Sequence, residues 1–231
     1  MLKKGKFIGY ASLANTVTLF GLAISLTACF LGANGDFKFA VYLMFFACIC
    51  DMFDGKIARL KKRSEDETFY GVQLDSLCDI VSFGVTPCFL AYSFGFNGVL
   101  DVIIYLIFVI CGATRLAYFN TLANSKPELA KKVFRGIPIP MSVFVITFLF
   151  VLTAFVPFAT MHWIFRIVLL LLAIGFILNI RIKKPNLKTG AILIAIEIIL
   201  LFILLISGDL KTNDSIGNND TSTEISQTVS E

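Results

Sequence analysis

The chain has 231 residues, of which 57% are hydrophobic, and its formal net charge is +4. An ordinary soluble domain contains about 45–50% apolar residues, so this composition excludes an ordinary soluble protein. The excess lies in runs of about 20 residues, the length of a helix that crosses a bilayer. The predicted fold class is therefore an all-α polytopic membrane protein, with one transmembrane domain over residues 1–207.

Seven apolar segments follow one another along the chain. They cover residues 12–32, 38–60, 71–95, 98–121, 137–157, 162–181 and 189–207. Each is predicted to be helical, because a bilayer leaves backbone groups no partners outside their own segment. Glu197 lies in the middle of the last segment and needs a partner there. The polar stretch 208–231 is rich in Ser, Thr and Asn and predicts a disordered tail.

The connections between the segments alternate in charge. MLKKGK, KKRSEDE, SKPELAKKVFR and RIKKPNLK are basic, whereas GANGD, GFNG and PFATM contain no Lys or Arg. The positive-inside rule places the basic set, and hence the N-terminus, in the cytoplasm. Seven spans then put the C-terminal tail outside. We expect the chain to lie in the plasma membrane.

Other candidate ligands carry little signal. The six cysteines all lie in apolar segments, and the sequence contains no CxxC motif. We therefore expect the cysteines to act as small buried hydrophobic residues that neither form a disulfide nor bind a metal. His162 stands next to Trp163 near the end of a segment, which predicts an interfacial pair.

Four aspartates stand out at the predicted cytoplasmic ends of segments two and three. In DMFDGKIAR, helical spacing places Asp51, Asp54, Gly55 and Ala58 on one stripe, flanked by Arg59. In GVQLDSLCD, Gly71, Asp75 and Asp79 form a second stripe. Two antiparallel helices joined by a short loop can turn these stripes toward each other.

Four carboxylates in one volume repel each other and need compensation. Mg²⁺ and Mn²⁺ prefer carboxylate oxygens, and two such ions can hold a phosphate under attack. The small residues beside the acids would let a ligand approach the helix backbones, and Arg59 would supply charge for a phosphate. In an alternative interpretation without a metal site, the aspartates lie at solvated helix ends, and Lys61, Lys62 and Arg63 neutralise their charge.

At these residues the chain resembles the CDP-alcohol phosphatidyltransferase family. That family carries D-x-x-D-G-x-x-A-R, a spacer, and G-x-x-x-D-x-x-x-D, and every fixed position is present here. The spacer, LKKRSEDETFY, is longer than the usual eight or nine residues, so we expect a bulge in the loop. The resemblance implies six core transmembrane helices plus a seventh here, a homodimer, and two divalent cations, Mg²⁺ or Mn²⁺, per site.

The resemblance also implies residue roles. Asp51, Asp54 and Asp75 would bind one metal, and Asp75 and Asp79 a second, with Asp79 as general base. The donor, CDP-diacylglycerol, would bind the small and polar residues of the two stripes and the N-x-x-T of segment one. These residues are Asn15, Thr18, Gly55, Ala58, Arg59 and Gly71.

Three further stretches resemble the phosphatidylserine synthase subfamily. They are IVSFGVTP, RLAYFN and FRGIPIPMS. This implies transfer of a phosphatidyl group to L-serine, with release of CMP. Arg115 and Arg135 are candidate partners of the serine carboxylate, although both could be snorkelling interfacial arginines.

Alternatives stay open at this point. The acceptor could be glycerol 3-phosphate, inositol or inositol phosphate, although a phosphorylated acceptor calls for a denser basic pocket. A carboxylate-lined cation transporter is a different class, but such carriers usually bind near the bilayer midplane and contain internal repeats. A purely structural membrane protein would leave the motif unexplained. Membrane lipids are expected partners and nucleic acids are not.

Overall fold

The computed structural model describes residues 9–60, 63–125, 134–182 and 187–207. The predicted tail 208–231 and the basic N-terminal MLKKGK lie outside this range. The helices are α1 (Leu13–Ala33), α2 (Phe37–Ala58), α3 (Glu65–Asp79), a π-helical segment (Ile80–Val85), α4 (Thr86–Ser93), α5 (Val99–Ser125), α6 (Met141–Leu152), α7 (Phe158–Ile177) and α8 (Leu187–Ile206). Two short strands, β1 (Phe134–Arg135) and β2 (Arg181–Ile182), pair antiparallel. This ladder is a small exception to the predicted all-α fold.

The third helix begins six residues earlier than the apolar pattern indicates. Its start is a capping box, in which the Ser64 side chain accepts from the Glu67 backbone and Glu67 accepts from the Ser64 backbone. The long spacer therefore contributes a polar first turn to α3 as well as the loop. The helix then runs without a break through the π-helical segment to Ser93.

In the part of the chain that the structure describes, four helices are long and apolar enough to cross a membrane. They are Leu13–Ala33, Glu65–Ser93, Val99–Ser125 and Phe158–Ile177. Helix α2 is of similar length, but it carries Lys38, Asp51, Asp54 and Lys56. Helix α6 is shorter than predicted, because Pro138 and Pro140 precede its first turn. A helical membrane protein is thus confirmed, whereas six core spans and the cytoplasmic N-terminus stay predictions.

Gly136 ties the β-ladder to the end of α7. Its φ of +71° lies in the left-handed region, and a Cβ added there would lie 2.6 Å from the Phe176 carbonyl oxygen. The Gly136 and Ile137 backbone amides donate to the carbonyls of Ile180 and Gly175. These contacts fix the chain that leads into α6.

Helix α8 is anchored on α2 by two polar side chains. The Tyr42 hydroxyl donates to the Leu201 carbonyl at 2.6 Å, and Lys38 Nζ donates to the Ser207 carbonyl. The last apolar segment is therefore an integral part of the helical bundle.

His162, which the sequence predicts to lie at the membrane interface beside Trp163, has a buried partner in the fold. Its Nε2 lies 2.7 Å from Asp101 Oδ2, and Arg166 Nε donates to Asp101 Oδ1 at 2.6 Å. Asp101 is 1% exposed. This ion network joins α5 to α7, which the sequence could not indicate because its members are 61 and 65 residues apart.

Candidate active site

The four aspartates meet where the end of α2 faces the end of α3. One carboxylate oxygen each of Asp51, Asp54 and Asp75 lies within 4.8 Å of the other two. Asp79 lies one turn beyond Asp75 and lines the same cavities as Asp51. The two stripes thus form one cluster. Its spacing and its oxygen ligands suit a hard divalent cation.

Burial makes mutual repulsion within the cluster strong. Asp54 is 5% exposed and Asp79 is 8% exposed, while Asp51 and Asp75 are half-buried. Asp54 is held from α1, because Thr18 Oγ1 lies 2.5 Å from Asp54 Oδ2. The same hydroxyl also lies 3.1 Å from the Ala14 carbonyl of its own helix.

A cavity of about 310 Å³, here called the front cavity, opens between α1, α2 and α3. Asp54 and Asp75 lie on its wall. All six predicted donor-binding residues line it as well: Asn15, Thr18, Gly55, Ala58, Arg59 and Gly71. Asn15 donates its amide to the Tyr10 carbonyl at 2.7 Å. Its carbonyl oxygen is the atom that faces Gly71.

Gly55 and Gly71 keep the front cavity open in different ways. A Cβ added at Gly55 would meet nothing within 4 Å, so packing does not require glycine there. A Cβ added at Gly71 would lie 3.0 Å from Arg63 Nη1. The longer spacer therefore leaves Gly71 on the cavity wall and brings Arg63 beside it.

A second cavity of about 460 Å³, the rear cavity, lies on the other side of the cluster. Asp51 and Asp79 line it, together with Arg59 and Arg115. Cys48, Met52, Pro138, Pro140, Met141, Phe144, Gly190 and Leu193 form the rest of its wall. The four acids are thus divided, with Asp54 and Asp75 toward the front and Asp51 and Asp79 toward the rear.

Arg115 is the buried cation of the rear cavity. It is 7% exposed, and its guanidinium lies 4.6 Å from the centre of the Phe119 ring. Its Nε has no hydrogen-bond partner among the described residues. The depth of this side chain disfavours a snorkelling arginine. The side chain of Arg135, the other candidate, lies outside the described residues, and only its backbone pairing with Arg181 is known.

Directly after Asp79 the helix widens into the π-helical segment. Hydroxyl groups from three helices surround this segment. The Thr86 hydroxyl donates to the Val81 carbonyl at 3.1 Å and lies 2.8 Å from the Ser25 hydroxyl of α1. From α6, Ser142 Oγ lies 3.4 Å from the Phe83 carbonyl. Such π-turns often occur at functional sites.

Comparison with known proteins agrees with this geometry. The profile of the CDP-alcohol phosphatidyltransferase family matches residues 11–208. The chain belongs to the CDP-alcohol phosphatidyltransferase family. It is 31% identical to a CDP-diacylglycerol–serine O-phosphatidyltransferase of Helicobacter pylori, over 75% of this chain and 72% of that protein.

Two other relatives extend the comparison. A CDP-diacylglycerol–serine O-phosphatidyltransferase of Saccharomyces cerevisiae is 42% identical over 40% of this chain, and the match spans about a third (34%) of the yeast protein. An archaetidylserine synthase of Methanothermobacter thermautotrophicus is 31% identical over 67% of this chain and 64% of that protein.

Some residues of this CDP-alcohol phosphatidyltransferase site were not singled out in the sequence. Arg63 was read only as one charge of a basic loop, although it lies beside Gly71. Cys48 was read as a small hydrophobe, although it lines the rear cavity beside Asp51. Pro138 and Pro140, which precede α6, also form part of that cavity. Only the folding of distant segments onto α2 reveals these positions.

Proposed function

We propose that this protein transfers the phosphatidyl group of CDP-diacylglycerol to the hydroxyl of L-serine, giving phosphatidylserine and CMP. The observation that carries this proposal is the position of the aspartate cluster between two cavities. Two substrates can then reach one set of carboxylates from opposite sides. The names of the related proteins support serine as the acceptor.

The front cavity fits the CDP end of the donor. Its small residues allow close approach to the helix backbones of α2 and α3, and Arg59 and Arg63 supply positive charge for a diphosphate. Asn15 and Thr18 provide polar groups from α1. The lipid chains would leave toward the bilayer.

Two divalent cations, Mg²⁺ or Mn²⁺, are proposed for the cluster. Asp51, Asp54 and Asp75 would hold one, and Asp75 and Asp79 would hold the other, with Asp51 shared. When bound, these cations would supply positive charge against the diphosphate and the leaving oxygen. Without such charge, two buried and two half-buried carboxylates at this spacing would destabilise the fold.

The rear cavity fits the acceptor. Arg115 lies in the same cavity as Asp79, so a serine whose carboxylate meets the guanidinium can turn its hydroxyl toward Asp79. Asp79 takes the hydroxyl proton as general base. The hydroxyl oxygen bonds to the phosphorus that carries the diacylglycerol oxygen. The bond from that phosphorus to the CMP oxygen breaks, and CMP leaves with the electron pair.

The setting of the reaction is also proposed. The active site would open on the cytoplasmic side of the plasma membrane, where serine and CMP are soluble. The protein would act as a homodimer. Membrane lipids would surround it. A cation transporter is less well supported, because the carboxylates lie beside a cavity that suits a diphosphate.

The test is CMP release by the purified protein in detergent with CDP-diacylglycerol and Mn²⁺. L-serine, glycerol 3-phosphate, inositol and inositol phosphate are offered separately. We expect release with serine alone and its loss with EDTA. Release with another alcohol instead would reject serine, and no release from folded protein would reject the transferase.

A further inference from the structure

Three buried polar side chains around the rear cavity lack partners. Among the described residues, the buried side-chain atoms without a hydrogen bond are Arg115 Nε, Thr147 Oγ1 and both carboxylate oxygens of Glu197. Glu197 and Thr147 are 0% exposed. Buried polar groups normally have partners, and an ionisable residue inside a membrane protein usually marks a functional position. These three side chains therefore call for a ligand.

Glu197 lies on the side of α8 that forms the cavity wall. Gly190 and Leu193, from the same helix, line the cavity. Glu197 follows Leu193 by four residues, so the two share one face, and its carboxylate lies about 6 Å further along the helix. It is thus placed one turn deeper than the wall.

The neighbouring helices place Glu197 beside the same cavity. Thr147 lies one turn beyond Phe144, a cavity residue of α6, which packs against α8, and the Thr147 hydroxyl has no hydrogen-bond partner among the described residues. On α2, Cys48 lines the cavity together with Asp51 and Asp79, and α2 also packs against α8. Three walls of the cavity therefore continue toward one unpaired carboxylate.

The charges define the missing ligand. Arg115 carries a guanidinium and Glu197 a carboxyl group, and the two belong to different helices and do not hydrogen-bond each other. The carboxylates that line the cavity, Asp51 and Asp79, already belong to the aspartate cluster. A ligand that satisfies both remaining groups carries a carboxylate and an ammonium, as an α-amino acid does.

We propose that Glu197, supported by Thr147, forms the subsite for the ammonium group of the acceptor amino acid, while Arg115 receives its carboxylate. This inference rests on the proposed function. An alcohol without an ammonium group would leave Glu197 unpaired in the membrane interior. Sites built around such a group discriminate strongly against ligands that cannot pair with it.

The test compares L-serine with 3-hydroxypropionate, which keeps the hydroxyl and carboxylate of serine but has no ammonium. CMP release is measured for the wild type, Glu197→Gln and Glu197→Asp in the full-length protein. We expect Glu197→Gln to raise the serine KM by about tenfold to a hundredfold, with the CDP-diacylglycerol KM nearly unchanged. The preference for serine over 3-hydroxypropionate should fall by a similar factor, and Glu197→Asp should restore part of it.

Asp101→Asn is the matched control, because it removes a buried carboxylate far from the cavity and should leave that preference unchanged. Thr147→Val is a second variant, and we expect it to raise the serine KM as well. If the wild type uses serine and Glu197→Gln keeps both the serine KM and the preference, the subsite is wrong while the proposed function stands. If the wild type does not use serine, both are wrong.

Discussion

At the scale of single residues, the site depends on glycines that leave space for a ligand as well as on charged side chains. Gly55 is on a helix, where alanine would be more stable by roughly 0.5–1 kcal/mol. An added Cβ there meets nothing in the protein. The glycine is therefore best explained by a ligand that approaches the backbone of α2 within the front cavity.

We predict that Gly55→Ala keeps or raises the melting temperature but weakens the binding of CDP-diacylglycerol. The methyl group enters the front cavity and should raise the CDP-diacylglycerol KM by roughly tenfold, the usual effect of overpacking. The kinetics are measured with serine saturating. Gly190→Ala is the matched control, because its methyl also meets no atom but belongs to the rear cavity. Equal donor KM values for Gly55→Ala and wild type would contradict this role.

Asp79 allows a second prediction at this scale. Asp79→Asn cannot take the serine proton, so CMP release should fall by at least about a thousandfold. Asp51, Asp54 and Asp75 remain, so binding of CDP-diacylglycerol should persist. Binding is measured by the shift in thermal unfolding on adding the donor. A variant with wild-type turnover would show that Asp79 is not the base.

The aspartates and glycines could be predicted from the sequence because their relations are local. Helical spacing places Asp51 with Asp54, and Asp75 with Asp79, whatever the rest of the fold does. Arg63 could not be predicted in the same way. Its importance comes from lying beside Gly71, which depends on where the long spacer ends and α3 begins.

At the scale of elements, the π-helical segment is the main feature that the sequence did not indicate. Apart from Ser82, its residues are not polar, and they continue the pattern of a regular helix. What stabilises the wider turn is contact with other helices, through Ser25 of α1 and Ser142 of α6. The segment follows Asp79 directly, so it sets the direction in which that carboxylate leaves the helix.

We predict that Thr86→Val destabilises the protein by about 1–3 kcal/mol, because it leaves the buried Ser25 hydroxyl without its nearest partner. It should also lower kcat more than it raises either KM, since Asp79 loses its alignment. Thr86→Ser, which keeps the hydroxyl, should restore both properties. Thr27→Val is the control, because Thr27 is exposed and bonds only its own helix. Wild-type kcat in Thr86→Val would exclude this positioning role.

At the scale of the whole molecule, the fold brings distant segments to one end of the bundle. The start of α1, the end of α2, the start of α3, the end of α5 and the start of α8 all contribute to the two cavities. The loop charges in the sequence predict that the four aspartates lie toward the cytoplasmic end of the bundle. The sequence could not predict the rear cavity, because that cavity depends on how the β-ladder and Gly136 place α6 against α2.

The cluster should also link metal binding to the stability of the bundle. Divalent cations held by the cluster would join α2 to α3, and a ligand present at a hundred times its Kd stabilises a protein by about 2.7 kcal/mol. We predict that Mn²⁺ raises the melting temperature of the wild type and that EDTA reverses the shift. Asp54→Asn and Asp75→Asn should lose the response, whereas Asp101→Asn should keep it. An equal shift in all the variants would place the metal elsewhere.

The most direct test of the central claim follows the oxygen of the acceptor. L-serine labelled with ¹⁸O in its hydroxyl is incubated with the purified protein, CDP-diacylglycerol and Mn²⁺, and the products are analysed by mass spectrometry. If the hydroxyl attacks the phosphorus between the two cavities, phosphatidylserine carries the label and CMP does not. Unlabelled phosphatidylserine, or turnover of CDP-diacylglycerol that yields none, would contradict the account.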